Sequence, residues 1–338
     1  MRMNRPTEFG SFFHLDPAVP LGGARWLQGG DVLVGSGRDA LRAIVAQGRW
    51  RRLHAPSYYC HAVLDDVAGD IEVCLYPHTP FCGATHLAVG DDEAAIVPEY
   101  FGLRAEVTVA GGSVLLDRTH DLLATWTYDR QPDFIFASLR KTLPVPEGGV
   151  VRGLPAGVAY PPTSMHLRAA ACMSAAMAMK AAYLAGATVD KAAYLALGHE
   201  GESGLRRDAE VSGASTLTQA LAPAIDLHRL QQRRHENLAR LGGSLAGLPA
   251  SVQWVQTPAY GILLCADEAL RERVRQRLIA AQVYPAVLWP MTWPGVPDHS
   301  RRLSGRILVV HADHRYGARD IEQLAGIILQ ATAIPDEA

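Results

Sequence analysis

Asp133–Gly149, with the sequence DFIFASLRKTLPVPEGG, is the stretch that constrains the fold most strongly. Its apolar run Phe134–Ala137 predicts a buried strand that ends at Ser138, and Lys141 follows three residues later. The positive charge of the neighbouring Arg140 disfavours a second cation, so the amine form of the lysine is favoured. An uncharged lysine amine is suited to Schiff-base chemistry. An exposed lysine in a turn is the alternative.

Short apolar runs and helical patterns alternate before this stretch. The runs Asp70–Tyr76, Ala94–Val97 and Ser113–Leu116 suit strands that are buried on both faces. Gly37–Gly48 has its apolar residues at helical spacing. The alternation predicts an α/β fold whose central, mostly parallel sheet is flanked by helices.

Beyond this α/β part the pattern becomes helical and then mixed. Ser164–Leu197 predicts helices, Thr216–Leu245 predicts one long helix, and short strands and helices alternate after Gly247. The chain is longer than a single core usually supports. The sequence therefore predicts a large domain over residues 1–240, with an N-terminal arm, and a small C-terminal α+β domain over residues 241–338.

The segment Gly35–Leu41, GSGRDAL, opens the first predicted helix. Ser36 is a favourable N-cap residue, and Asp39 three residues later gives a pattern close to a capping box. The free N–H groups and the dipole at such a helix start suit a phosphate. A plain capped helix start is the alternative.

The segment Val114–Asp121, VLLDRTHD, ends a predicted strand at Asp117, and His120 follows three residues later. A carboxylate fixed at a strand end can hold a pyridinium N–H, which keeps a pyridoxal phosphate (PLP) ring protonated. The alternative is a loop-capping aspartate beside a surface histidine.

A third segment, Pro56–His61 (PSYYCH), follows a strand-like Leu-His-Ala. Tyr59 or His61 could lie flat against an aromatic cofactor. Core packing of these rings is the alternative.

Taken in order, these segments resemble the DegT/DnrJ/EryC1/StrS aminotransferases. GSGRDAL is similar to the family's Ser-Gly-Thr-x-Ala-Leu phosphate loop, and APSYYCHAV to its Pro-x-x-Thr-Phe segment. LLDRTHD resembles Glu-Asp-x-Ala-His/Gln, and ASLRKTLPVPEGG resembles Ser-Phe-x-x-x-Lys…Gly-Glu-Gly-Gly. VVHADHRYGARD resembles Leu-Pro-x-x-x-Arg-Tyr-x-x-x-Asp. The resemblance covers most of the chain and implies the PLP-dependent transferase fold of type I.

The resemblance also implies a role for each matching residue. Lys141 carries PLP as a Schiff base and moves protons between the substrate carbon and the cofactor. Asp117 pairs with the pyridine nitrogen, and His120 supports it or lies near the ring oxygen. Tyr59 stacks on the ring, although a shift of one residue would give Cys60 or His61. The implied phosphate contacts are Ser36, Gly37, Arg38 and Ser138. Arg315 and Tyr316 are candidate substrate contacts, with a structural salt bridge as the alternative for Arg315.

The sequence departs from the family before the long helix, where Glu210–Leu217 (EVSGASTL) replaces Gly-Tyr-Asn-Tyr-Arg-Met. No asparagine is present there to reach the phosphate of a neighbouring subunit, and Ser212 or Ser215 is the candidate replacement. The spacing from Ser138 to Lys141 is also nearer to that of aspartate-type aminotransferases. These departures bear on the nucleotide-sugar substrate rather than on PLP.

The composition restricts the class of protein. The formal net charge is −2, which gives no basic surface for nucleic acid. Five cysteines without a tight Cys-x-x-Cys pair argue against a metal site and a disulfide framework, and favour reduced thiols in the cytoplasm. Met1–Gly10 lacks the apolar run of a signal peptide. Ala169–Ala187 is rich in small residues and contains Lys180, so it predicts a buried helix rather than a membrane span.

We therefore expect a cytoplasmic PLP-dependent aminotransferase. The resemblance implies glutamate or glutamine as amino donor, a keto sugar or other keto or aldehyde intermediate as acceptor, and a homodimer with shared active sites. Two alternatives remain. One is a PLP-dependent lyase, dehydratase or decarboxylase on the same fold, and the other is a catalytically inactive binding protein.

Overall fold

The computed structural model describes residues 8–206 and 208–333. These residues form two compact units, of which the first is Phe13–Leu227 and the second combines residues 8–12 with residues 228–333. The first seven residues lie outside the described residues. They include the start of the predicted N-terminal arm and most of the segment in which the sequence predicts no signal peptide.

The elements follow one another along the chain in this order: β1 (Phe9–Gly10), β2 (Val32–Val34), α1 (Gly37–Gly48), β3 (Arg52–Pro56), α2 (His61–Asp65), β4 (Glu72–Tyr76), β5 (Thr85–Ala88), β6 (Glu93–Pro98), β7 (Val107–Ala110), β8 (Ser113–Asp117), β9 (Phe134–Ser138), β10 (Gly149–Arg152), α3 (Ser164–Leu184), α4 (Lys191–Gly204), α5 (Thr216–Ala224), α6 (Leu227–Ser244), β11 (Val252–Gln256), β12 (Gly261–Cys265), α7 (Glu268–Ala280), β13 (Val283–Tyr284), α8 (Asp298–Ser304), β14 (Ile307–Val310) and α9 (Ala318–Thr332). Two 3₁₀ turns lie at Tyr100–Gly102 and Leu139–Lys141.

A seven-stranded sheet forms the centre of the first unit, in the order β2-β10-β9-β8-β6-β3-β4. Strands β9, β8, β6, β3 and β4 run parallel to one another, whereas β10 is antiparallel to both β9 and β2. The predicted α/β fold with a mostly parallel sheet is therefore confirmed. The carboxyl ends of parallel strands meet at one edge of a sheet, where α/β proteins bind their ligands.

The apolar runs fill the core of this sheet because both of its faces are covered. All six residues of β6 are buried, as are Val114–Leu116 in β8. Helix α1 turns Ala40, Leu41 and Ile44 inward, as its spacing predicts. A strand without an outward polar face is typical of a parallel sheet.

The single helix predicted over Thr216–Leu245 is wrong. Two helices, α5 and α6, occupy this stretch, and Ile225 between them is extended with φ −73° and ψ 130°. Pro223 lies in the last turn of α5, where its missing N–H removes a helical hydrogen bond. Apolar spacing runs through the break, which is why the pattern alone did not reveal it.

The second unit has its own core. Strands β11, β12 and β14 form an antiparallel sheet, and β1 pairs in parallel with β13. Leu263, Leu308 and Val274 lie in a cluster of buried apolar side chains that α7 and α9 help to form. The predicted boundary at residue 240 falls inside α6, most of which belongs to this unit. Within the described ranges, no helix is both long enough and apolar enough to cross a bilayer.

Candidate active site

The turn between β2 and α1 presents a helix N-terminus at the carboxyl edge of the sheet. Ser36 caps α1: its Oγ accepts from the N–H of Asp39 at 3.0 Å and donates to Asp39 Oδ2 at 2.7 Å. The hydroxyl is therefore used within the turn. Helix geometry leaves the N–H groups of Gly37 and Arg38 without an intrahelical acceptor, so these two amides are the donors available to an anion.

Glycine at position 37 lets this turn approach the end of β9. A Cβ at Gly37 would lie 2.7 Å from Cβ of Ser138, closer than real Cβ contacts. The guanidinium of Arg38 points elsewhere: Nε is 3.2 Å from Asp66 Oδ2, and Nη1 donates to the Leu205 carbonyl at 3.1 Å. The structure thus brings Gly37 and Ser138 together, and Arg38 can reach a phosphate there through its backbone N–H.

Asp117 ends β8, the strand beside β9. Its Oδ1 accepts from the N–H of Thr119 at 2.8 Å, and the Thr119 Oγ1 accepts from the N–H of Ser138 at 3.1 Å. Thr119 therefore ties the carboxylate to the end of the next strand. Burial raises the pKa of Asp117, while its bonds to Thr119 and Tyr59 lower it.

Tyr59 is buried after the end of β3, and its hydroxyl donates to Oδ2 of Asp117. Burial, followed by the charge of Asp117, raises the pKa of the phenol well above its ordinary value, so it stays a donor. Cys60 caps the short helix α2, and His61 is buried in that helix. Of the three neighbours, Tyr59 is the one whose side chain bonds to Asp117.

Lys141 lies in the 3₁₀ turn after β9 and is exposed, as the turn lysine named as the alternative would be. Desolvation by the surrounding protein, followed by the charge of Arg140, lowers the pKa of its amine, and the nearby Glu202 opposes this. Arg140 Nη1 is 2.6 Å from Glu202 Oε2. Although desolvation raises it, the cations of Arg140 and Lys141 hold the pKa of Glu202 at about 2.

His120 is buried, and its Nδ1 accepts from the N–H of Phe101 at 2.9 Å. The two rings are stacked, with centroids 5.6 Å apart and an interplanar angle of 1°. This bond makes Nδ1 an acceptor and so places a ring proton, when the imidazole is neutral, on Nε2. The surface histidine considered as an alternative is excluded by this burial.

Arg315 and Tyr316 lie in the second unit, where both are bonded internally. Arg315 forms a bidentate pair with Asp313 at 2.8 and 2.7 Å, and its Nη1 donates to the carbonyls of residues 10–12. The Tyr316 hydroxyl accepts from the N–H of Gly10 at 2.8 Å. The guanidinium thus forms the structural salt bridge that was the alternative interpretation for Arg315.

The hydroxyls of Ser212 and Ser215 are also hydrogen-bonded within the chain. Ser212 Oγ accepts from the N–H of Thr163 and donates to the Gly213 carbonyl, each at 3.0 Å. Ser215 Oγ donates to Glu147 Oε1 at 2.7 Å. Both serines are buried, and their hydroxyls bind the segment before α5 to the start of α3 at Thr163 and to Glu147 just before β10.

Comparison with known proteins decides the fold. No family model matches the sequence, and no curated protein matches it. Among solved structures, PseC of Helicobacter pylori, an aminotransferase involved in the biosynthesis of pseudoaminic acid, has a TM-score of 0.60 at 10% identity, covering 96% of this chain and 99% of its own. The PLP form of a putative sugar aminotransferase from Streptococcus pneumoniae has a TM-score of 0.57 at 12% identity, covering 89% and 86%. A DegT/DnrJ/EryC1/StrS aminotransferase from Brucella abortus has a TM-score of 0.53 at 13% identity, covering 90% and 86%.

The chain has the fold of the DegT/DnrJ/EryC1/StrS aminotransferases. At these identities the likeness establishes the fold, and it confirms at that level the resemblance carried by the sequence motifs. The site must be judged on its own residues.

These residues fit PLP in three respects. The amides of Gly37 and Arg38 belong to a helix start that lies close to the end of β9, and they suit a phosphate. Asp117 offers a partly buried carboxylate for a ring N–H. Lys141 has an amine whose pKa is lowered and which remains partly accessible. An aminotransferase-like fold therefore carries the donor set that the cofactor needs.

Sequence reasoning missed Thr119 and Glu202. Thr119 had a recognisable signal, because Asp-x-Thr after a strand is the pattern of an Asx turn in which the aspartate bonds the N–H two residues on. Glu202 had none, since it lies far from Lys141 in sequence and reaches it only through the packing of α4.

Proposed function

We propose that this protein is a PLP-dependent aminotransferase with Lys141 as its catalytic residue. The observation that carries the proposal is the meeting of Lys141, Asp117 and the Ser36–Gly37 turn at one edge of an aminotransferase-type sheet. A strand-end lysine alone would not suggest this chemistry, whereas a lysine with a carboxylate for the ring nitrogen and a helix start for the phosphate is the set that PLP uses.

Each residue has a defined task in holding the cofactor. Lys141 would hold it covalently, Asp117 would pair with the ring nitrogen, and Tyr59, whose hydroxyl bonds to Asp117, would supply the ring-stacking side chain. The amides of Gly37 and Arg38, with Ser138, hold the phosphate, and Ser36 acts by shaping their turn. His120 acts through the Phe101 turn that it anchors.

Bound PLP supplies an electron sink that stabilises negative charge on the substrate carbon next to the amino group. Once the amino donor has replaced Lys141 on the cofactor, the released lysine amine, with its lowered pKa, would take the proton from that carbon and return it during the exchange. Asp117, as a carboxylate, would keep the ring nitrogen protonated. Thr119 holds the carboxylate in position during both half-reactions.

Solved structures that share this fold include a putative sugar aminotransferase from Streptococcus pneumoniae and an aminotransferase of pseudoaminic acid biosynthesis, which supports a keto sugar as acceptor. We also propose glutamate or glutamine as the amino donor, which is what the sequence resemblance to the family implies. We further propose a cytoplasmic homodimer with shared active sites, in which the first unit binds the cofactor and residues 241–338 form a small domain.

Donor screening tests the proposal. The PLP-loaded protein is mixed with single amino acids, and its absorbance is followed together with the keto acid released. An aminotransferase converts the donor to its keto acid in stoichiometric amount and passes the amino group to an added keto acceptor. Release of ammonia or carbon dioxide instead would assign a lyase or decarboxylase, and no change with any amino acid would contradict enzymatic function.

A further inference from the structure

Two arginines lie near Lys141, and their guanidinium groups are used differently. Arg38 is held between Asp66 and the carbonyl of Leu205, at 3.2 and 3.1 Å. Arg140 makes a single ion pair, with Glu202 at 2.6 Å, and among residues 8–206 and 208–333 no other side-chain or backbone acceptor bonds to it. Most of the five N–H donors of Arg140 are therefore available.

In the ion pair between Arg140 and Glu202, the glutamate is the partner that is exposed to solvent. The Glu202 side chain is 46% exposed, whereas the Arg140 side chain is 15% exposed. An ion pair with such an exposed partner contributes little to stability, so a competing anion can replace the carboxylate at small cost. Arg315, by contrast, has its donors taken up by Asp313 and by backbone carbonyls.

We propose that Arg140 binds the α-carboxylate of the amino donor, and that the Glu202 carboxylate stays paired with Arg140 until the donor carboxylate displaces it. The inference rests on the proposed aminotransferase function and deepens it. A guanidinium matches a carboxylate through two parallel hydrogen bonds, which a lysine cannot form. Glu202 pairs with Arg140 and is also within the electrostatic reach of Lys141, so a donor carboxylate that takes the place of Glu202 at Arg140 lies near the lysine.

The electrostatics of the cluster agree with this exchange. Arg140 and Lys141 keep the pKa of Glu202 at about 2 despite its desolvation, so the competing carboxylate is ionised at neutral pH. Glu202 therefore acts as a built-in competitor for anions. Replacing Glu202 with a neutral residue removes the competing carboxylate and leaves the guanidinium of Arg140 unchanged.

Binding of succinate, an unreactive dicarboxylate, to the PLP-loaded protein tests the inference without turnover. We expect Arg140→Gln to weaken the succinate affinity by about 10- to 100-fold, which is the range for losing a charge-assisted bidentate contact. Arg140→Lys keeps the charge and should recover only part of the loss. Glu202→Gln should strengthen binding by about 3- to 10-fold.

The matched control is Glu200→Gln. Glu200 lies on the same helix, 3.4 Å from Arg168 in an exposed ion pair, and its replacement should leave succinate binding unchanged. Each variant is first checked for its melting temperature and for its PLP absorbance band, so a failure of the cofactor site is distinguished from a failure of this inference.

L-Glutamate and its α-amide, isoglutamine, extend the test to reaction. The wild-type protein should prefer glutamate, and Arg140→Gln should remove that preference while the PLP band persists. The inference is overturned if succinate does not bind the wild type, if Arg140→Gln binds it as well as the wild type does, or if Glu202→Gln weakens it. It is also overturned if Arg140→Gln changes the affinity for inorganic phosphate and leaves the affinity for succinate unchanged.

Discussion

The hydroxyl of Tyr59 donates a hydrogen bond to Oδ2 of Asp117, while Oδ1 of the same carboxylate accepts from the N–H of Thr119. Burial raises the pKa of Asp117, and both bonds lower it. The two donors therefore favour the ionised carboxylate, which is the form that can pair with a ring N–H. Tyr59 contributes to the site through its hydroxyl as well as its ring.

Tyr59→Phe keeps the ring and removes the hydroxyl. We expect the dissociation constant of PLP to rise by about 3- to 30-fold, because a buried bond to a charged group is lost and the carboxyl pKa rises. Cofactor titration followed by absorbance measures it. The control is Tyr128→Phe, which removes a phenol from the buried carboxylate of Glu99 at 2.9 Å. Equal effects of the two variants would contradict a specific role for Tyr59.

Gly37→Ala tests the close approach of the helix start to β9. The added Cβ would lie 2.7 Å from Cβ of Ser138, so the turn has to shift and its amides move away from the phosphate position. We expect PLP affinity to fall by about 10-fold or more, the equivalent of one displaced charge-assisted bond. Gly243→Ala, in α6 with no atom within 4 Å of its added Cβ, should leave PLP affinity unchanged. Unaltered PLP binding in Gly37→Ala would argue against this turn as the phosphate site.

Asp117→Asn preserves the shape of the side chain and removes its charge. The protein should still bind PLP through Lys141 and the helix start, but the rate of the donor half-reaction should fall by about 100-fold or more, as for the loss of one preorganised electrostatic group. Stopped-flow absorbance with a reactive amino acid measures this rate. A rate close to that of the wild type would show that Asp117 does not pair with the ring nitrogen.

Glu99 makes the stability of the protein depend on pH. It is buried beside Arg118 and Tyr128, and burial raises its pKa from 4.5 to about 7. A carboxyl group whose folded pKa is raised contributes stability below its unfolded pKa and loses it as the pH rises through the folded value.

The stability of the wild type relative to Glu99→Gln should therefore decrease between pH 4.5 and about 7. Denaturant unfolding at several pH values measures this difference. Glu106→Gln, at an exposed glutamate, serves as the control and should parallel the wild type. A constant difference between wild type and Glu99→Gln across this range would contradict the raised pKa.

The parts of the fold that depend on local pattern were predictable. The bounds of α1 and its cap at Ser36 follow from apolar spacing and from the capping residues. The break at Ile225 was not predictable from apolar spacing, because the spacing continues through it.

The site was predictable only as a set of residues at strand ends. Parallel strands bring Asp117 and Ser138 to one edge, so their proximity follows from topology. The Tyr59–Asp117 bond and the reach of Glu202 to Arg140 depend on side-chain packing between distant segments. Arg315 shows the same limit of sequence-based prediction. Its motif resembles that of the family, but the motif does not reveal that the Arg315 donors are bonded to Asp313.

Lys141 is one of three lysines in the chain, which makes the central claim directly testable. Lys180 is buried in α3 and Lys191 begins α4. The decisive measurement is the absorbance spectrum of the protein after PLP is added and the excess removed, for the wild type, Lys141→Ala and Lys191→Ala. We predict a visible cofactor band in the wild type and in Lys191→Ala that is absent in Lys141→Ala. A band that persists in Lys141→Ala, or none in the wild type, would contradict the account.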